Sequence, residues 1–221
     1  MPDVRLTAPV GTPAYAALRD QLRKDIVSGA IPNGTRLTVF ELVRRYGVSQ
    51  MPIREALQAL QGEGLVNILP HRGARVLSLD AKFIRNVYSI RTAVELLLAS
   101  SSLPNIGGDE IHELEAIQKR FALAARHGDA DEVFALNREF HYTIYRHADN
   151  DEAVRIYDHY NALIGALRRV YDFGPARRER MVAEHEDTLA ALRSRDGARL
   201  TSSIRAQCER GLGDVLASMG R

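Results

Sequence analysis

Apolar residues fall into two different rhythms along this chain. Up to about residue 80 they come in short bursts separated by Gly and Pro; beyond it they recur at helical spacing over long stretches. Tyr15, Leu18, Leu22 and Ile26 sit three or four apart, which predicts a helix over Ala14–Ser28 that stops at Gly29. Ile31-Pro32-Asn33-Gly34 reads as a turn. A second helix is expected over Val39–Tyr46, with Leu42 and Val43 inward and Gly47 as the left-handed breaker. Ser49 is placed to cap a third helix. Pro52 falls in that helix's first turn, where a missing N–H costs nothing. Ile53, Ala56, Leu57, Leu60 and Leu65 mark its apolar stripe. Two strand-like runs follow, Leu65–Ile68 and Ala74–Leu77, with Pro70-His71-Arg72-Gly73 as a hairpin tip.

The remainder predicts six helices, over 82–103, 108–127, 130–148, 151–172, 175–194 and 197–218, separated by short Gly, Pro, Asp and Asn breakers. Strand patterns are absent there, so an antiparallel all-helical bundle is expected. The fold class is therefore mainly α: a winged helix-turn-helix with a small β-hairpin wing in 1–79, then a helical bundle in 80–221.

Composition narrows the possibilities. With 45% hydrophobic and 26% charged residues among 221, the chain has the make-up of a globular protein with a substantial core. Cys208 is its one cysteine, so neither an intramolecular disulfide nor a cysteine cluster for zinc is possible, and a reducing, cytoplasmic setting is expected. The first twelve residues carry Asp3 and Arg5 and lack a signal-peptide apolar core, and no run approaches the length of a membrane span, so no membrane partner is expected. Net charge is +2, but residues 1–80 hold ten Lys and Arg against seven acids, which places the excess positive charge in the first third. That is a mild pointer to a polyanion there.

A helix, a Gly-containing turn, a second helix and a hairpin form the layout that reads DNA. The second helix enters the major groove and offers its N-terminal residues to base edges. Here those are Ser49, Gln50, Met51, Pro52 and Arg54. Gln50 suits adenine, and Arg54 suits guanine or a phosphate. Arg44 and Arg45 end the preceding helix near the DNA backbone; His71, Arg72 and Gly73 form the wing tip, and Arg75 adds to its charge.

These residues carry a resemblance. Gly34–Leu37, Glu41-Leu42, the run Tyr46-Gly47-Val48-Ser49-Gln50-Met51-Pro52-Ile53-Arg54-Glu55-Ala56-Leu57, Glu63–Val66 and Arg72-Gly73 together resemble the GntR family DNA-binding domain. Gln50 stands where Arg is common and Met51 where Thr is common. The second part resembles the FCD sensor domain of the FadR subfamily. Asn137 and His141 lie four apart on one helix face, with Phe134 and Ile144 directing that face inward; His185 shares an inward face with Leu189 and Leu192, and Gln207 follows 22 residues later. The resemblance maps these four onto a family metal site of one Asp and three His, with Asn137 and Gln207 in altered ligand positions. It also maps Arg91 and Glu95 onto the first sensor helix, and implies that Arg91 receives an anionic group of the effector.

Amides are weak ligands for zinc, nickel or manganese. Three readings stay open: a weakened divalent-metal site on His141 and His185, a metal-free pocket for an organic ligand, or satisfied core polar residues. His112, His127, His147 and His159 are expected at the surface. The resemblance implies a ligand-responsive repressor released by a small organic acid or related metabolite, acting as a homodimer on a near-palindromic double-stranded operator. Two other classes compete with it: a metal-dependent enzyme on a helical bundle, against which stands the lack of any nucleophile or zinc-protease motif, and an effector-independent DNA-binding protein, against which stand the inward polar residues.

Overall fold

The computed structural model describes residues 13–70, 72–128, 130–170 and 174–219. By internal contacts these fall into two compact units: one of residues up to Asp80 together with Ala162–Val170, the other of Ala81–Asn161 together with the chain after residue 170.

In the first unit, α1 (Ala14–Val27) buries Leu18, Leu22 and Ile26. A two-residue strand β1 (Arg36–Leu37) precedes α2 (Val39–Tyr46). A capping box starts α2: the Glu41 amide donates to Thr38 Oγ1 at 3.2 Å, and the Glu41 carboxylate accepts from the Thr38 amide at 3.3 Å. Gly47 ends α2 at φ +67°, a left-handed conformation that costs Gly little. Ser49 then occupies the N-cap of α3 (Gln50–Gly62), but its hydroxyl makes no capping bond, contrary to expectation. Strands β2 (Val66–Leu69) and β3 (Gly73–Val76) form the wing. The sheet is antiparallel in the order β1-β3-β2, with Leu37 opposite Ala74 and Val66 opposite Val76.

Two sets of polar contacts brace the three helices. Arg23 of α1 is buried against Glu63 just past α3, its Nε donating to Oε2 at 2.7 Å. Asp25 of α1 accepts from Arg45 at 3.2 Å and from the Tyr46 hydroxyl at 3.0 Å.

The second unit is helical throughout its described residues: α4 (Ala81–Ser102), a short 3-10 turn (Leu103–Asn105), α5 (Gly108–His127), α6 (Ala130–Tyr145), the first half of α7 (Asp151–Val170), α8 (Pro175–Arg193) and α9 (Gly197–Met219). The main packed pairs are α4 with α9 and α6, α5 with α6 and α8, and α8 with α9. Leu98, Leu114, Phe121, Phe140, Ile144, Leu189 and Ile204 fill the core. Phe134, expected inward, is half-buried; His112, His127 and His159 are exposed and His147 half-buried. Among the described residues no helix is long and apolar enough to cross a membrane.

Candidate functional site

The N-terminal turn of α3 faces solvent. Ser49, Gln50, Met51 and Arg54 are exposed and Pro52 is half-buried; Met51 is 65% exposed, unusual for so apolar a side chain. Gln50 and Arg54 lie one turn apart and share a face. Beside them a groove of about 490 Å³ runs between α3 and the wing, lined by Arg36, Phe40, Arg54, Leu57, Ile68 and Arg72 among others. Three arginines thus rim an apolar floor. Arg36 Nε also donates to the Arg72 carbonyl at 3.1 Å and fixes the wing tip.

Two of the expected DNA residues make structural contacts within the winged helix. Arg44 is exposed, but the neighbouring Arg45 turns back to Asp25 and lies over the Tyr46 ring. Gly73 holds φ +87°, and a Cβ there would stand 2.1 Å from the Leu37 carbonyl oxygen. Glycine is demanded by the close approach of β1 to β3, whatever DNA requires of it. His71 lies outside the described residues.

Inside the bundle, polar groups form a continuous line from α8 to α4. The His185 ring stacks on Phe140 (centroids 4.0 Å apart, planes 8° apart) and leans on Phe121. Its Nδ1 lies 3.0 Å from Gln118 Oε1, and its Nε2 lies 3.2 Å from the Asn137 amide. Burial, with the nearby charges of His141 and Arg177, holds the His185 pKa well below its ordinary value, so the ring is neutral and carries one N–H. Gln118 spends its amide nitrogen on the Val182 carbonyl (3.0 Å) and Glu186 (3.1 Å). Its oxygen therefore accepts from His185 Nδ1–H. The His185 Nε2 lone pair is then an acceptor; the atom set opposite it is Asn137 Oδ1, so a hydrogen bond there requires the amide to turn by a half-turn and present its NH₂.

His141 lies edge-on to His185, ring centroids 5.3 Å apart, and 5.9 Å from the Tyr145 ring. The Tyr145 hydroxyl donates to Glu95 Oε2 at 2.8 Å. Glu95 Oε1 pairs with Arg91 Nε, and both residues are buried. Burial alone would push Glu95 up; Arg91, His141 and the Tyr145 hydroxyl outweigh it and hold the carboxyl below its usual range. Cys208 approaches the same oxygen at 3.6 Å, and burial beside Glu95 pushes its thiol up to about 12.

Of the five residues expected to form the effector site, the structure brings Arg91, Asn137, His141 and His185 onto this line. Gln207 is drawn aside: its amide nitrogen donates to Thr188 Oγ1 at 2.8 Å, Ser203 Oγ at 3.3 Å and the Glu184 carbonyl at 3.3 Å. The donor set does not fit a zinc, nickel or manganese ion. Asn137 and His185 bond to each other, Glu95 is spent on Arg91 and Tyr145, and Cys208 stays protonated. Among the described residues no three His, Cys, Asp or Glu side chains gather at one point. Sequence reasoning missed Tyr88, Gln118, Tyr145 and Tyr157. Tyr145 was within reach, one turn after His141; Gln118 carries no such sign.

Comparison with known proteins follows the same division. Residues 14–76 match the family described as bacterial regulatory proteins, gntR family, and residues 86–209 match the FCD domain. The chain is 31% identical to the uncharacterized HTH-type transcriptional regulator YdhC of Bacillus subtilis, over 84% of this chain and 82% of that protein. It is 30% identical to the HTH-type transcriptional repressor RspR of Escherichia coli, over 86% and 82%. The solved structure of E. coli McbR/YncC superposes with a TM-score of 0.68 at 20% identity, covering 93% of this chain and 98% of that one, which supports the fold.

Proposed function

We propose, from the premise that this chain belongs to the gntR family of bacterial regulatory proteins and carries an FCD domain, that it represses transcription by occupying an operator until a small metabolite enters its helical bundle. The observation that carries the DNA half of this reading is the exposed Gln50, Met51 and Arg54 surface at the start of α3, flanked by a groove rimmed with arginine. Gln50 and Arg54 read base edges, and Arg36, Arg44 and Arg72 meet phosphates. Repression follows the function in the name of the E. coli relative RspR.

The protein acts in the cytoplasm as a homodimer. Support for self-association comes from α4, which exposes Ile90, Ala93 and Leu97 as a stripe three and four residues apart; Ile90 and Leu97 are 47% and 49% exposed. A two-fold dimer presents two copies of α3 to a near-palindromic site. The effector binds among Arg91, Asn137, His141 and His185 and favours one placement of the DNA-binding domains over another, which is what a shift in operator affinity requires. Gln207 acts as a brace between α8 and α9. The interior polar line is assigned to recognition rather than to catalysis.

The test is protection of DNA from the region upstream of the protein's own gene. A protected site with two-fold symmetry is expected, and Arg54→Ala should weaken specific binding by about 1–3 kcal/mol. Equal affinity for that region and for unrelated DNA would refute the reading.

A further inference from the structure

The Arg91–Glu95 pair has unfilled hydrogen-bonding capacity around it. Among the described residues, Arg91 Nη1, the Tyr88 hydroxyl and the Tyr157 hydroxyl are buried and meet no hydrogen-bond partner. Their residues are 5%, 2% and 0% exposed. They belong to one corner of the bundle. Tyr88 precedes Arg91 by three residues on α4, and its ring centroid is 5.6 Å from the Arg91 guanidinium carbon. Tyr157 of α7 stands edge-on to Tyr145, ring centroids 4.9 Å apart, and Tyr145 in turn holds Glu95. Buried polar groups are rarely left unpaired, because each then forfeits its hydration without return. Three in one corner leave hydrogen-bonding capacity that a further molecule would fill.

The chemistry of the corner selects the guest. Arg91 Nη1 can only donate; each tyrosine hydroxyl can donate and accept. Burial raises the pKa of the Tyr157 phenol, and Glu95 adds to the rise, so the hydroxyl stays protonated. Arg91 is already committed, since it is neutralised by its ion-pair partner Glu95 one turn along α4. A ligand carboxylate would place a second negative charge beside Glu95, with Arg91 already paired and the pull of His141 shared with that same carboxyl. A hydroxyl or carbonyl oxygen brings acceptor capacity without that penalty.

We propose that Tyr88, Arg91 and Tyr157 form a subsite for an uncharged, hydroxyl- or carbonyl-bearing part of the effector, of the kind a sugar or polyol supplies, and not for its carboxylate. This deepens the reading of the bundle as the effector site and rests on it.

The test uses the full-length protein, with Tyr88→Phe and Tyr157→Phe, in two steps. Without ligand, each Phe variant should melt higher than the wild type, by about 2–4 °C, because it loses a buried hydroxyl that had nothing to bond. A lower melting temperature would show that the hydroxyl already has a structural partner and would overturn the subsite. The second step is a thermal-shift and titration series with D-glucose and D-mannitol against the matching carboxylates D-gluconate and D-glucuronate. A neutral probe should stabilise the wild type and bind each Phe variant roughly tenfold more weakly. If only the carboxylates bind, and Arg91→Met abolishes them while the Phe variants do not, the effector site stands and the uncharged subsite falls. If no probe of either series shifts the wild type, both fall.

Discussion

Replacing Glu95 by Leu should be among the most damaging single changes in the bundle. Glu95 is 1% exposed and Arg91 5%, so the substitution leaves a guanidinium buried without its carboxylate, and also strips the Tyr145 hydroxyl of its acceptor. Breaking a buried pair from one side costs about 3–5 kcal/mol, against a total stability on the order of 5–15 kcal/mol for a domain. With a urea slope of about 1–3 kcal/mol per molar, the unfolding midpoint should fall by roughly 1–5 M. The double change Arg91→Met with Glu95→Leu removes both charges and should recover most of the loss. The assay is urea unfolding at pH 7, followed by near-ultraviolet circular dichroism of the tyrosines, since the chain has no tryptophan. The effect is also pH-dependent. The folded carboxyl is held below its unfolded value, so the ion pair contributes fully above about pH 4.3. Its contribution disappears as pH falls through the folded value. The gap between wild type and Glu95→Leu should therefore close in acid. A single variant that loses less than about 1 kcal/mol, or a double variant as unstable as the single, would refute the account of a compensated buried pair.

Other consequences are equally direct. Gly73→Ala forces a left-handed Ala, at about 1–2 kcal/mol, and drives its Cβ into the Leu37 carbonyl; the winged helix should melt earlier and hold DNA less tightly while the bundle's tyrosine signal is unchanged, and an unaltered melting curve would contradict this. Arg45→Ala should lower the thermal stability of the winged helix by removing the ion-pair partner of Asp25, with little change in the salt dependence of DNA binding, whereas a shallower salt dependence would return Arg45 to the phosphate contacts. In ¹⁵N-resolved NMR, His185 should appear as the neutral Nδ1–H tautomer and remain neutral below pH 6. Because its folded pKa is depressed, the stability it contributes is present above the unfolded value near 6.5 and is lost as pH falls through the folded one. A protonated ring at pH 6 would overturn the assignment.

Much of this was legible in the amino-acid order, for physical reasons. The bounds of α2 are written in Thr38, Glu41 and Gly47, each of which satisfies or frees a backbone group at a helix end. The long helices declare themselves by repeated apolar stripes. The strand β1 does not, because two residues cannot show an alternation, and it exists only where β3 offers a partner. Neighbouring residues on a helix point about 100° apart, so Arg44 and Arg45 meet different surroundings: Arg44 is exposed, and Arg45 is paired with Asp25, 20 positions away. Spacing placed Gln207 correctly on the last helix, yet its direction was decided by Thr188 and Ser203, two small hydroxyls that compete for its amide. Gln118 is buried among apolar neighbours on α5, and nothing in its surroundings in the chain announces that it sets a histidine's tautomer.

The braces of the winged helix separate two duties that often share residues. Arg23, Asp25, Arg45, Tyr46 and Glu63 hold α1, α2 and α3 together from behind, while Gln50, Met51 and Arg54 are exposed and take no part in those bracing contacts among the described residues. The outward three can therefore be exchanged for other side chains at little expense to folding. On the proposed reading of α3, a lineage built on this scaffold is free to drift from one DNA sequence to another through single, individually viable steps. An engineer wanting a new target can follow the same route, randomising three positions and leaving the rest of the domain alone.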